Sequence, residues 1–380
     1  MNARTFISRK LKFQSRLSAT AIAVSYLIMI IAIAVSAGFR HEIRDGVSAV
    51  TGDVRLDCGN DTIPVRPSWY DGVMGIKGVE SITPVICKAG IVKGEDDIQG
   101  VLFKGVPFPE GETLVARIPE RLSKALSIEQ GEQFISYFIE DKVRIRKFKV
   151  SEIYSSPVET DGRLIVYVPL ADIQRLCGLS PGSVTGFEIR LDGKIRSEKV
   201  MRQKAGEICG AVIMHGDDDE NIPIAEAAAD IYPQLFDWLN LIDFNVNAIL
   251  LLMIIVAGFN MISGLLILLF RHTSTIGTLK AMGMTDRGIS GVFLGVASRT
   301  VLKGMAVGNL AALAFYFIQS STHLIKLNPA NYFVSFVPVS LNIPLMLVAD
   351  LASYVVIMLL MTIPSMFISR VDPAETVRVQ

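Results

Sequence analysis

Apolar positions along the chain fall into two kinds of pattern. Near the N-terminus and through the last third they run unbroken: Ser18–Phe39 has 22 residues without a charge and Phe244–Phe270 has 27. Gly304–Thr322 has 19, prolonged backwards by Ile289–Ser298 across Arg299 and Lys303, and Val334–Ala349 and Leu351–Ser369 flank a single acid, Asp350. About 20 apolar residues at about 1.5 Å each cross a hydrocarbon core of about 30 Å, so these read as four membrane spans. Between the first two spans the pattern shortens and alternates. β-Rich runs recur at Gly52–Leu56, Ser81–Val92, Asp97–Phe103, Phe134–Ile139, Val143–Ile153, Leu164–Val168 and Val184–Leu191. Helical patterns stand between them at Ile118–Leu126, Leu170–Cys177 and Ser197–Gly206.

The predicted fold class is a membrane α-helical protein with four transmembrane helices and a large α/β extracytoplasmic domain inserted between helices 1 and 2. The expected division is an elbow at 1–17, spans at 18–39, 244–270, 289–322 and 344–369, and a two-lobed α/β block at 40–243 with an inserted lobe at about 96–194. A 271–288 link, a short 323–343 link and a 370–380 tail complete it. Within the leader, Phe6, Ile7, Leu11, Phe13 and Leu17 share a helical arc of about 160°, with Arg9, Lys12 and Arg16 opposite and Lys10 intruding on the apolar arc, the pattern of a helix lying along the inner leaflet. A plain positive flank accounts for the same charges. The small residues Val35-Ser36-Ala37 also allow a cleaved signal peptide, although the apolar run exceeds the usual signal length.

Composition sharpens this picture. The chain of 380 residues is 51% hydrophobic, with a mean hydropathy of +0.44. That is too apolar for a disordered chain and unusual for a soluble enzyme. Its formal charge is zero, but residues 40–243 carry a net −9 and the remainder +9. Basic residues concentrate in the leader (Arg4, Arg9, Lys10, Lys12, Arg16), the 271–288 link (Arg271, Lys280, Arg287) and the tail (Arg370, Arg378), against Lys326 alone in the link between spans 3 and 4. That asymmetry places both termini and the 271–288 link inside and the 40–243 block outside. No basic patch interleaves with aromatics, so the sequence gives no support to nucleic-acid binding.

Catalytic and metal chemistry find no motif. Nucleotide-binding, nucleophile-elbow, zinc-protease and dinucleotide-turn patterns are absent, so any ATP-Mg chemistry belongs to another chain. Cys58, Cys87, Cys177 and Cys209 all fall in the outer block, at spacings that match no zinc site. Buried thiols and disulfides both remain open there. The acidic run Asp217-Asp218-Asp219-Glu220 lacks the alternating spacing of a calcium loop and reads as a solvated turn.

The 271–288 link carries the sharpest pattern. Ser274 or Thr275 is placed to cap a short helix and Gly283 to end it left-handed. Ile276, Leu279 and Met282, three apart, then form an apolar ridge on a helix of about nine residues, or about 13 Å. Such a ridge on the inner side requires a protein partner or a fold back onto the bilayer.

Here the chain resembles a known family. The segment from Arg271 to Gly283, with Ile276-Gly277, Leu279-Lys280-Ala281 and Gly283, is similar to the coupling segment R/K-x-x-x-I-G-x-L-K-A-x-G of FtsX-like ABC permeases. Val256-Ala257-Gly258-Phe259-Asn260-Met261-Ile262-Ser263 resembles the V-A-x-F-N-I-x-S stretch of their Lol-type, lipoprotein-releasing members. Tyr332–Val339 resembles the Y-x-V-x-x-x-P-V outer link, and Pro364-Ser365, Asp372-Pro373-Ala374-Glu375 and Arg378 the tail pattern, with Thr376-Val377 departing from it. Leu122–Leu126 with Gly131-Glu132, and Val184–Phe187, resemble outer-lobe segments. The resemblance implies a non-catalytic, mechanotransmission-type permease of the cell inner membrane, working as a homo- or heterodimer with two copies of a separate ATPase subunit that uses ATP-Mg. No cofactor or metal is implied for this chain. Lipoprotein cargo and a periplasmic carrier are the implied partners, with a regulatory permease signalling to a cell-wall hydrolase, or small-molecule efflux, as alternatives.

Three candidate sites follow. The ATPase-coupling site is Ser274, Thr275, Ile276, Gly277, Leu279, Lys280, Ala281, Met282 and Gly283. The lipid or cargo wall is Met29, Ile33 and Phe39 of span 1 with Phe244, Ile249 and Leu252 of span 2. The carrier-docking hairpin would turn at Glu140-Asp141-Lys142 and carry Arg144 and Arg146, with Lys147 and Lys149. Its alternation slips between Ile145 and Phe148, which predicts a bulge, and its lysines read as those of a protected edge strand. Arg299 and Lys303, four apart, read as snorkelling or lipid-contacting cations, and Gly291/Gly295 and Gly304/Gly308 as sites of close helix approach.

Overall fold

In the computed structural model, residues 16–365 are described except 60, 95–96, 110, 140–142, 155–163, 194–196, 218–220, 329–331 and 333. Residues 1–15 of the expected elbow, the tail, the hairpin turn at Glu140-Asp141-Lys142 and most of the acidic run lie outside the described residues, while Arg16 and Leu17 begin α1. In chain order the elements are α1 Arg16–Thr51, β1 Val54–Asp57, β2 Ile63–Pro64, α2 Tyr70–Met74, β3 Val79–Lys93, β4 Ile98–Val106, β5 Val115–Pro119, α3 Glu120–Leu126, β6 Gln133–Ile139, β7 Val143–Tyr154 and β8 Ile165–Pro169. There follow α4 Leu170–Cys177, β9 Ser183–Val184, β10 Gly186–Leu191, α5 Glu198–His215, β11 Ile224–Ala227, α6 Ala228–Ile231, α7 Pro233–Arg271, α8 Thr273–Ala281, α9 Asp286–Thr322, α10 Ile343–Leu360 and α11 Thr362–Ser365. They form two compact units, one of residues 1–41, 239–326 and 336–380, the other of 42–238 and 327–335.

The first unit is helical. Among the described residues, four helices are long and apolar enough to cross a membrane: Ser18–Thr51, Pro233–Arg271, Asp286–Thr322 and Ile343–Ser365. Their common core holds Tyr26, Met29, Ile30 and Ile33 of α1, Met261, Leu265 and Leu268 of α7, Ile289, Phe293 and Val296 of α9, and Ile357 of α10. Gly304 and Gly308 set the crossing of α1 and α9. A Cβ on Gly308 would stand 2.5 Å from the Ala23 carbonyl oxygen, and one on Gly304 2.6 Å from Ile22 Cγ2. Glycine permits this backbone approach, which in a membrane provides the packing that hydrophobicity cannot. Gly291 serves no such contact, since a Cβ there meets nothing within 4 Å.

Two helix ends depart from the apolar pattern for local reasons. The apolar stretch from Val334 turns helical only at Ile343, where the Asn342 side chain accepts from Leu345 N at 3.2 Å. At the other end, Pro364 lacks the N–H that Leu360 would receive and its ring meets that carbonyl, so α10 stops at Leu360 and α11 restarts.

The second unit is α/β. Among the described residues nine strands follow the order β11-β1-β10-β3-β4-β8-β5-β7-β6, and β3 also pairs β6. That extra pairing, Ile91↔Tyr137 to Lys93↔Ile135, closes β3, β4, β8, β5, β7 and β6 into a six-stranded ring. The 15-residue β3 supplies both parts: Val79–Val85 pair β10, and Ile86–Lys93 pair β4. Phe103, Phe134, Phe138 and Phe148 fill the ring, with centroids 4.6 Å apart for Phe103–Phe138. Closure corrects one expectation, because β6 and β7 are each paired on both sides and neither is an edge strand.

The expected bulge is also corrected. The β6–β7 register runs unbroken from Gln133↔Lys149 to Ile139↔Val143. The shift lies on the other flank of β7, against β5 between Ala116 and Arg117. The slip in alternation arises because Arg144 and Arg146 stand opposite Phe138 and Ser136, on the face of Phe148, and Arg144 Nη1 donates to the Leu176 carbonyl.

Candidate functional site

The link expected to couple is the helix α8, Thr273–Ala281. It follows α7 after one non-helical residue, His272 (φ −110°, ψ 23°). The expected cap is corrected: neither Ser274 nor Thr275 caps it, because the helix has begun by Thr273, whose hydroxyl donates back to the Phe270 carbonyl at 2.5 Å. The stop agrees with the sequence. Gly283 has φ 83°, and Met284 N donates to the Leu279 carbonyl at 3.0 Å, a six-to-one bond over a left-handed glycine. Thr285 then caps α9, accepting from Gly288 N, and Lys280 Nζ lies 3.0 Å from Asp286 Oδ1. Both turns are thus held by local bonds.

The apolar ridge does not face one way. Ile276, Gly277 and Leu279 are buried, and Ile276 and Leu279 belong to the core of their own helical unit. Met282 is 71% exposed, against 8% for Leu279. Ser274, Thr275, Thr278 and Ala281 share the outward side with it. Helix geometry explains the split: Leu279 lies three residues past Ile276 on the inward face, whereas Met282 follows Ala281, the last helical residue. Thr278, which the motif leaves as an arbitrary position, is therefore part of the exposed face. Its hydroxyl donates to the Ser274 carbonyl at 3.0 Å.

The six residues of the expected cargo wall separate. Met29, Ile33 and Phe39 are buried, the first two in the helical core. Phe244 (72% exposed), Ile249 and Leu252 point outward, joined on α7 by Leu251, Ile255 and Phe259. Asp243, one residue before Phe244, joins α7 to α1: Ser36 Oγ donates to Asp243 Oδ1 at 2.7 Å, and Arg40 pairs with Asp243 Oδ2. Lys303 is exposed and Arg299 is half-buried.

The α/β unit holds a buried polar cluster that the sequence did not disclose. Lys104 on β4 is 3% exposed, and its Nζ lies 2.6 Å from both the Val50 carbonyl oxygen and Glu188 Oε2. A cation here meets the carbonyl end of α1, where the helix dipole favours positive charge. Nearby, Arg44 Nη2 lies 3.4 Å from Asp53 Oδ1, and Asp53 Oδ2 accepts from Leu191 N at 2.7 Å. Burial raises the Glu188 carboxyl above its usual range, opposed by Lys104. Burial also raises the phenols of Tyr154 and Tyr167, which border the same cleft of about 390 Å³ with Arg117, Glu152 and Arg190. Cys58, Cys87, Cys177 and Cys209 are all free thiols, and partial burial beside Asp57 and Asp61 lifts Cys58 to about 11.

On the hairpin, Val143 and Ile145 are exposed, beside Arg146 and Lys147. Ile145 stands opposite Tyr137 across the strands.

Four helices long and apolar enough to cross a membrane, with the short α8 between the second and third, are the arrangement of a multi-span membrane protein. Residues 247–373 match the family FtsX-like permease C-terminal. The chain is 22% identical over 408 residues to the lipoprotein-releasing system transmembrane protein LolC of Xylella fastidiosa strain 9a5c, covering 97% of this chain and 94% of that one. It is 21% identical over 382 residues to LolE of Haemophilus influenzae, covering 89% and 88%. Among solved structures, the periplasmic region of MacB from Actinobacillus actinomycetemcomitans is 13% identical over 48% of this chain and 92% of its own, at a TM-score of 0.31, too low to define a shared fold. Residues 247–373 thus resemble the C-terminal domain of FtsX-like permeases, and the chain is similar over nearly its whole length to the Lol-type subunits.

Proposed function

We propose that this chain is the permease subunit of a mechanotransmission ABC transporter that lifts lipoproteins from the outer leaflet of the inner membrane for transfer toward the outer membrane. The observation that carries this reading is the likeness to LolC, which spans 97% of the chain and so includes the α/β unit as well as the helices. In this arrangement both termini and α8 are cytoplasmic and the 40–243 block is periplasmic, as the distribution of basic residues favours. A separate ATPase, in two copies and using ATP-Mg, docks on the outward side of α8. A second permease subunit completes the dimer.

The exposed apolar side chains of α7, from Phe244 to Phe259, form this chain's contribution to the acyl-chain path. The ridge of Val143 and Ile145, fringed by Arg146 and Lys147, is the candidate surface for a periplasmic carrier. Purifying the chain with its partners in mild detergent and identifying bound material by mass spectrometry tests the reading. Triacylated lipoprotein in the complex is expected. A peptidoglycan hydrolase in its place would replace extraction by signalling.

A further inference from the structure

The helical unit carries a buried acid inside a predicted span, at the eighth residue of α10. Asp350 on α10 is 8% exposed, and its Oδ2 accepts from Asn309 Nδ2 of α9 at 2.6 Å. The other oxygens of the same two groups, Asp350 Oδ1 and Asn309 Oδ1, are both buried and have no hydrogen-bond partner among the described residues. An unsatisfied buried acceptor is costly anywhere and more so in hydrocarbon, where no water competes to relieve it.

The neighbours supply no remedy. From α1, Tyr26 is engaged with Ser353, whose Oγ lies 3.0 Å from the Tyr26 hydroxyl and 3.0 Å from the Asp350 main-chain carbonyl. On α10, Tyr354 is occupied by Ser298 of α9 at 2.7 Å. An ionised carboxylate offers acceptors only, so it cannot satisfy the second Asn309 oxygen, whereas a carboxylic acid has one donor to give.

We propose that Asp350 is a neutral carboxylic acid that forms a reciprocal, two-bond pair with Asn309 and so joins α9 to α10 without placing a charge in the bilayer. One hydrogen on the carboxyl turns an acceptor with nothing to accept into a donor for the amide oxygen, and the first of the two bonds is already in place. The pair is a neutral interhelical bond of the kind that membrane bundles use.

Infrared difference spectroscopy on the full-length protein in nanodiscs at neutral pH reads this directly. A protonated-carboxyl C=O band that is present in the wild type, lost in Asp350→Asn and shifted in Asn309→Leu is expected. Asp350→Asn presents an amide in place of the acid and should melt at the wild-type temperature, while Asp350→Leu, which strands the Asn309 amide, should melt lower. Absence of the band, or an Asp350→Asn protein that melts as low as Asp350→Leu, would overturn the neutral pair.

Discussion

Leu279 and Met282 lie three residues apart at the end of one short helix and have opposite surroundings: Leu279 is packed into the helical core, while Met282 is 71% exposed. A substitution at each therefore tests a different property. Leu279→Ala should cost about 2–5 kcal/mol, the range for truncating a buried leucine, and lower the melting temperature of the solubilised protein. A Leu279→Ala protein that melts like the wild type would show that the side chain is not in the core.

Gly283 ends the same helix with φ 83°, and nothing lies within 4 Å of where its Cβ would be. Any penalty at this position comes from the backbone and not from a clash. Gly283→Val should cost about 1–3 kcal/mol. Gly283→Asn should cost less, because asparagine tolerates the left-handed region. Melting curves of the two variants should rank in that order, and equal melting would remove the role assigned to the left-handed turn.

Glu188 gives the α/β unit a pH-dependent component of defined sign. Its carboxyl is raised by burial, so folding disfavours the ionised form. Its contribution is fully present below the ordinary glutamate range and is lost as pH rises through the raised folded value. Measured against Glu188→Gln, which cannot titrate, the wild type should be relatively most stable in acid and lose that advantage toward neutrality. Hydrogen exchange of β10 amides, followed across that range in both proteins, checks the sign. A relative gain with rising pH would mean that Lys104 outweighs burial.

How far the sequence could be read depends on how local each cause is. The long apolar runs announce α1, α7 and α9, and glycine after a helical pattern places the stop at Gly283. The start of α8 was less legible, since three successive hydroxyl residues, Thr273-Ser274-Thr275, offer equivalent caps. Strands with clear alternation, such as β3 and β6, were expected close to where they stand. β5, only five residues long and with its last two residues, Ile118 and Pro119, read as the start of a helix, was not, because its neighbours β7 and β8 hold it in place. Ring closure through β3–β6 is a long-range pairing with no local signature. Lys104 was invisible for the same reason: nothing near it in sequence shows that Val50 and Glu188 converge on its ammonium.

The same limit shaped the cargo wall. Hydropathy marks Met29 and Phe244 alike, but packing turns Met29 into the core and Phe244 outward. Photocrosslinkers at Phe244, Ile249 and Leu252 should capture lipoprotein in the working complex, and those at Met29 and Ile33 should not. Capture at Met29 equal to that at Phe244 would contradict the division.

Entry of ATP-driven motion through the exposed side of α8 is the central claim, and Met282→Asp tests it most directly. Its side chain makes no part of the core, so the variant should express, insert and melt as the wild type does. If Met282 fills an apolar groove on the ATPase, losing about 2–4 kcal/mol of docking weakens binding by tens- to hundreds-fold. The measurement is the amount of ATPase that co-purifies with the Met282→Asp permease, normalised to folded protein. Loss of the ATPase from an intact permease is expected, and full retention with undiminished substrate-stimulated hydrolysis would contradict the coupling role.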